Sequence, residues 1–239
     1  IAGQAAPGGK AIREGDHLRV SGKYSFATGC PTANWLVGGY LVEGETDGLG
    51  QPLFLLGMVP RETVSFDGNW QVLGLRGTAS YDITVAEQLV HQDLFFQPFA
   101  APQLRGGAFY RMGFMAPPCI AHSAFALGVA RRALDEWREH AKLKERLPGI
   151  KAVDMHSFQR DFAIAEAELR AAEAYVRRSF DLLFAAAEGG PPPDALRIDG
   201  KLAACHAFRT GLKVVQTAFT AFATTGLRDG HPIQRCFRD

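Results

Sequence analysis

The apolar period of this chain changes once, near residue 110, and that change sets what the chain can fold into. Up to about residue 105, short apolar or alternating runs recur: 17–21, 35–42, 53–59, 63–66 and 81–85. Asp47-Gly48, Asp67-Gly68 and Pro60-Arg61 punctuate them. Alternation puts every second side chain on one face of a strand, and runs bounded by Gly, Asp and Pro read as strands joined by turns. From residue 114 onward Ala, Leu, Glu and Arg dominate, and apolar residues recur at three-to-four spacing, the stripe of an amphipathic helix. Strands without intervening helices, then long helices, give an α+β order: an antiparallel β-barrel or sandwich over residues 1–110, then an antiparallel helical bundle over 111–239.

The spacing predicts helices over 116–144, 153–188 and 194–224. Leu147-Pro148-Gly149 stops the first, Gly189-Gly190 and three prolines stop the second, and Gly226 stops the third. Asp154 is placed to cap the second helix, and Pro232 suits the first turn of a further one. Glu166, Arg170, Glu173 and Arg177 follow one another at spacings that support a helix face. Ala163, Ala165, Ala171 and Ala172 are small enough for close packing between copies of the bundle.

Bulk properties exclude several function classes. A net charge of +1 gives no electrostatic basis for a nucleic-acid or anionic-membrane partner. No apolar run reaches the ~18 residues of a spanning helix. Cys30, Cys119, Cys205 and Cys236 are far apart with no CxxC pair, the pattern of reduced cysteines in a cytoplasmic protein. The histidines form no HExxH, so no metal is expected, and GxSxG is absent. His122 reads as a helix-surface residue. A start at Ile1 without Met, and a stop just after Arg238-Asp239, read as an interior stretch of a longer polypeptide.

Three blocks remain: GKYSFATGCPTANW at 22–35, WQVLGLRGTASYD at 70–82, and GHPIQRCFRD at 230–239. Taken alone, the first is a strand end and a turn. The second is a turn beside a core Trp, without Walker lysine or GxGxxG spacing. The third is the start of a helix. Their order, their spacing and the β-to-helix switch together resemble the acyl-CoA dehydrogenase superfamily. The branch they are most similar to is the flavin-dependent monooxygenases fed with reduced flavin by a separate reductase.

The resemblance implies a flavoprotein that binds reduced FMN or FAD, reacts with O₂, and hydroxylates a small organic substrate. A transient flavin reductase partner, a homotetramer and a cytoplasmic setting come with it. It implies that Phe26 packs on the isoalloxazine ring while Ser25, Ala27 and Thr28 supply polar or backbone contacts. Thr28 takes the catalytic place, its hydroxyl donating to a flavin C4a-hydroperoxide. Trp70 lies close to the flavin, with Arg76 and Thr78 nearby. Arg146 and Arg235 grip flavin phosphate, and Gln159 accompanies Arg146. Thr32 stands where the branch often has His. A dehydrogenase in the same superfamily needs a carboxylate base; residues 113–134 contain no Asp or Glu, and the other usual position lies beyond Asp239. A flavin-free scaffold that keeps only the fold is the third reading.

Overall fold

The computed structural model describes residues 1–100, 104–228 and 230–239, so the far end of the expected β stretch (101–103) and Asp229 lie outside the described residues. The chain divides into two compact units, Ile1–Pro102 and Gln103–Asp239.

The first unit is built on one sheet. Its strands are β1 (Ala2–Glu14), β2 (His17–Ala27), β3 (Trp35–Thr46), β4 (Pro52–Pro60), β5 (Val64–Phe66), β6 (Tyr81–His91) and β7 (Phe95–Phe96). They run in the order β5-β6-β2-β1-β3-β4-β7. All five expected strands are present. Two features depart from expectation. The β1–β3 pair is parallel, so the sheet is mixed rather than antiparallel. Among the described residues the pairing also runs from β5 to β7 without closing into a ring. The first traces to β1, whose Ala5-Ala6-Pro7-Gly8-Gly9 centre offers no alternation to read. β1 folds back on β2 at Gly15-Asp16 and so inserts between β2 and β3.

One buried cluster draws on β1 to β6, including Leu18, Val20, Tyr24, Leu36, Tyr40, Val59, Ile83 and Val85. Tyr24 and Tyr40 meet edge to face at 5.9 Å. Tyr24 Oη donates to Gly39 O at 3.1 Å. Their size explains a glycine in a central strand, where glycine is otherwise unfavourable: a Cβ on Gly38 would lie 2.5 Å from Tyr24 Oη. Tyr24 thereby anchors β2 two residues before Phe26.

The second unit holds α1 (Ala108–Arg111), α2 (Ala116–Leu143), a small hairpin of β8 (Glu145–Leu147) and β9 (Ile150–Lys151), α3 (His156–Gly189), α4 (Asp194–Phe222) and α5 (Pro232–Arg238). Short connections make α2, α3 and α4 successive antiparallel neighbours. Their apolar stripes enclose Ala130, Leu134, Trp137, Leu169, Val214, Ala218 and Phe222, with Ile233 of α5 closing one end. Glu166 of α3 binds Arg131 of α2 at 2.6 Å and 3.2 Å, and Arg170 at 2.7 Å. Arg177 pairs with Glu173 at 2.9 Å.

Asp154 does not cap α3. It ends a 3-10 turn over Ala152–Asp154, and Met155 takes the cap position without a side-chain bond. Ala165 and Ala172 are buried within the bundle, at 3% and 0% exposure, so their small size serves packing inside the chain, while Ala163 and Ala171 are exposed. Leu147-Pro148-Gly149 is the turn of the β8–β9 hairpin, with Gly149 left-handed at φ 75°. α4 ends at Phe222, and a 3-10 turn over Ala223–Leu227 carries Gly226.

Candidate cofactor site

β2 ends in an abrupt loss of alternation. Tyr24 points into the core, Ser25 and Phe26 are both exposed, and Ala27 is buried again. Phe26 breaks the pattern because it is left-handed, at φ 62°. That conformation is unfavourable for any residue with a Cβ and rarer still for a bulky one. Its backbone N–H donates to Asp82 Oδ1 at 3.2 Å, and its ring stands 61% exposed. A strained backbone that holds a large apolar ring in water points to a ligand for that ring.

Trp70 stands beside it, with ring centres 6.0 Å apart and planes 81° apart. The indole Nε1–H donates to Leu75 O at 3.1 Å, which fixes the ring on its own loop. That loop is also strained: Leu75 and Ala79 are left-handed, at φ 53° and 43°. Arg76 Nε donates to Val72 O at 2.7 Å and so closes the loop rather than reaching outward.

Thr28 is exposed, and its hydroxyl lies 2.9 Å from that of Ser80. Ser80 is 2.7 Å from the hydroxyl of Thr78. Gly29 N–H donates to Thr78 O at 2.9 Å, which ties the two segments together. The structure thus brings Ser25, Phe26, Ala27, Thr28 and Trp70 into one place. Ala27 has 0% exposure, so only its backbone can face a ligand. The Ser25 carbonyl accepts from Gln4 Nε2 at 3.2 Å. Thr32 donates to Gly29 O at 3.1 Å and serves its own turn.

Sequence reasoning missed Ser80 and Asp82. Ser80 is buried at 3% and joins two threonine hydroxyls. Asp82 holds the strained Phe26 amide and is itself held by Asn69, whose Oδ1 accepts from Asp82 N at 3.0 Å. The available signal was the polar spacing Thr78-x-Ser80-x-Asp82.

The two arginines lie in the second unit, with different neighbours. Arg146 is exposed on β8, and its Nη2 donates to Ala221 O at 3.4 Å. It belongs to a cationic corner: burial, and then Lys144, His231 and Arg146, hold His140 below the ordinary histidine value. His140 stacks on Phe222 at 4.4 Å, and His231 meets the same ring at 4.9 Å. Arg235 is exposed on α5 and lines a cleft of about 380 Å³ with Arg132, Phe125 and Cys236. Gln159 donates to Val153 O at 3.3 Å, a local bond. His122 is exposed on α2, 6.3 Å from the ring of Phe208 on α4.

The first-unit residues fit a flat heteroaromatic ring. Phe26 and Trp70 give it an exposed apolar wall, and Thr28 and the β2 backbone give polar atoms at one edge. In the second unit, taken by itself, the Arg146 guanidinium sits in a cationic corner that suits an anion. Among the described residues no cluster of His, Cys, Asp or Glu could hold a metal ion, and no helix is long and apolar enough to cross a membrane.

Comparison with known proteins gives the lineage. Residues 120–239 match the family model for the acyl-CoA dehydrogenase C-terminal domain. The chain belongs to the acyl-CoA dehydrogenase family. Among its relatives, indole-3-acetate monooxygenase from Pseudomonas putida is 29% identical over 93% of this chain and 57% of that protein. The flavin-dependent monooxygenase oxygenase subunit HsaA from Rhodococcus jostii is 30% identical over 100% of this chain and 62% of that protein. The crystal structure of 3-HSA hydroxylase from Rhodococcus sp. RHA1 superposes with a TM-score of 0.87 at 26% identity, covering 100% of this chain and 63% of that one. This acyl-CoA dehydrogenase family chain therefore spans 57% and 62% of the length of the two curated relatives.

Proposed function

We propose that this chain is the greater part of an oxygenase that takes reduced FMN or FAD from a separate flavin reductase and uses O₂ to hydroxylate a small organic molecule. The observation that carries this reading is the Phe26–Trp70 wall at the end of β2, two residues from exposed Thr28. The monooxygenase relatives support it. So does the lack of any carboxylate in residues 113–134, one of the two places where a dehydrogenase of this family would carry its base.

Reduced flavin supplies two electrons to O₂, so that one oxygen atom enters the substrate and the other leaves as water. The residues of this chain supply the setting. Phe26 and Trp70 orient the ring, and their apolar surface excludes water from one side of it. The Ala27 backbone and the Thr28 hydroxyl meet the polar edge. Arg146 and Arg235 are the phosphate candidates. The exposed apolar faces of α3 and α4 support assembly as a homotetramer, and the four free cysteines fit a cytoplasmic setting.

The test supplies the full-length protein with reduced flavin, ¹⁸O₂ and a panel of small aromatic compounds. The expected result is a product carrying one labelled oxygen atom. Reduction of bound oxidised flavin by an acyl-CoA, with no labelled product from any compound, contradicts the proposal and supports a dehydrogenase.

A further inference from the structure

The hydroxyl row Thr28–Ser80–Thr78 has one arrangement of protons that makes every bond in it. A hydroxyl has a single hydrogen and two lone pairs. Thr78 Oγ1 lies 2.9 Å from Leu75 O, and a carbonyl cannot donate, so the Thr78 hydrogen goes there. The Trp70 indole N–H and the Thr78 backbone N–H converge on the same oxygen, so three donors share its two lone pairs at the anchor of the row. Thr78 is left with lone pairs for Ser80, 2.7 Å away, so Ser80 donates to Thr78. The hydrogen of Ser80 is then used, and the 2.9 Å bond to Thr28 needs Thr28 as the donor. The row ends with Thr28 showing lone pairs, and no hydrogen, on its exposed side beside Phe26. Turning that hydrogen outward would leave two lone pairs facing each other at Ser80, whose side chain is 3% exposed.

We propose that Ser80 is a positioning residue: by taking the Thr28 proton it makes Thr28 an acceptor toward the cofactor, and the site thereby favours reduced over oxidised flavin. This rests on the proposed function, with Thr28 at the N5 edge of the flavin, and it reverses the expectation that the Thr28 hydroxyl donates to a C4a-hydroperoxide beside that edge. Reduced isoalloxazine carries a hydrogen on N5, whereas the oxidised ring presents a bare lone pair. An acceptor bonds the first and opposes the second. An oxygenase fed by a separate reductase gains from this in both directions, since it captures the reduced form and releases the oxidised one.

The test is an anaerobic titration of full-length protein with reduced and with oxidised flavin, read as the ratio of the two dissociation constants. Wild type is expected to favour the reduced form. Thr78→Val removes the acceptor of the Ser80 hydrogen, so Ser80 donates to Thr28 and the Thr28 hydrogen turns outward. The ratio should fall about three- to tenfold, chiefly through tighter binding of oxidised flavin. Ser80→Ala frees Thr28 to rotate and should lower the ratio in the same direction, while Thr28→Ser should retain it. If Thr78→Val and Ser80→Ala weaken both redox states equally, Ser80 is only structural and the proposal is overturned. Equal wild-type affinity for both states overturns it too and leaves the flavoprotein reading standing. Binding of neither state removes that reading and this proposal with it.

Discussion

Phe26 sets two demands against each other. Its left-handed backbone is unfavourable, and its ring is left in water, yet both hold out the apolar surface on which the proposed flavin ring would pack. Phe26→Gly separates the two. Glycine accepts φ 62° without strain, so the folded protein should keep its stability or gain about 0.5–1 kcal/mol. Flavin binding should weaken about tenfold or more, since burying a Phe ring is worth about 1.5–3 kcal/mol. Thermal melts and flavin titration on one preparation check both halves. Thr28→Ala removes the hydroxyl that meets the polar edge of the ring and should raise the hydrogen peroxide released per product, measured as peroxide against product under turnover. Phe26, Thr28 and Trp70 could be named as candidates because two separate blocks resemble a family, and the structure sets Phe26 and Trp70 side by side. Ser80 and Asp82 could not be named. Their partners depend on left-handed Phe26, Leu75 and Ala79, and no residue type there announces that conformation.

The elements show the same division. Helix positions followed from apolar period and from Gly and Pro stops, and α2, α3 and α4 begin or end within a few residues of expectation. β1 was hidden, since its pairing depends on backbone alone where Ala and Gly replace bulky side chains. Gly38→Ala tests the reason for one of those glycines. Its Cβ would press on the buried Tyr24 phenol and should cost about 1–3 kcal/mol, while Gly48→Ala, with open space at its Cβ, should be near neutral. Denaturant midpoints distinguish them. In the bundle, Arg131, with Arg170 in a lesser part, holds Glu166 below the ordinary carboxylate range. The stabilisation is therefore fully present above the unfolded value of about 4.3 and is lost as pH falls through the lower folded value. Glu166→Gln should destabilise by about 1 kcal/mol at neutral pH, and the gap from wild type should close in acid. A gap that stays constant across that range contradicts the role of the ion pair.

At the scale of the whole molecule, α3 and α4 expose Ile164, Leu182, Phe184, Leu202, Phe208 and Leu212, each more than 40% accessible. Apolar area of this kind in one helical unit calls for a partner surface, and sedimentation of the full-length protein should give a homotetramer; a monomer at micromolar concentration contradicts this. The central claim is that the protein holds reduced flavin and directs its reaction with O₂. The most direct test mixes protein-bound reduced flavin with O₂ and follows oxygen consumption together with the reappearance of oxidised flavin. The account predicts that oxygen disappears first and oxidised flavin returns later, with little hydrogen peroxide when substrate is present. Coincident traces with all the oxygen recovered as peroxide, as for free flavin, would contradict it.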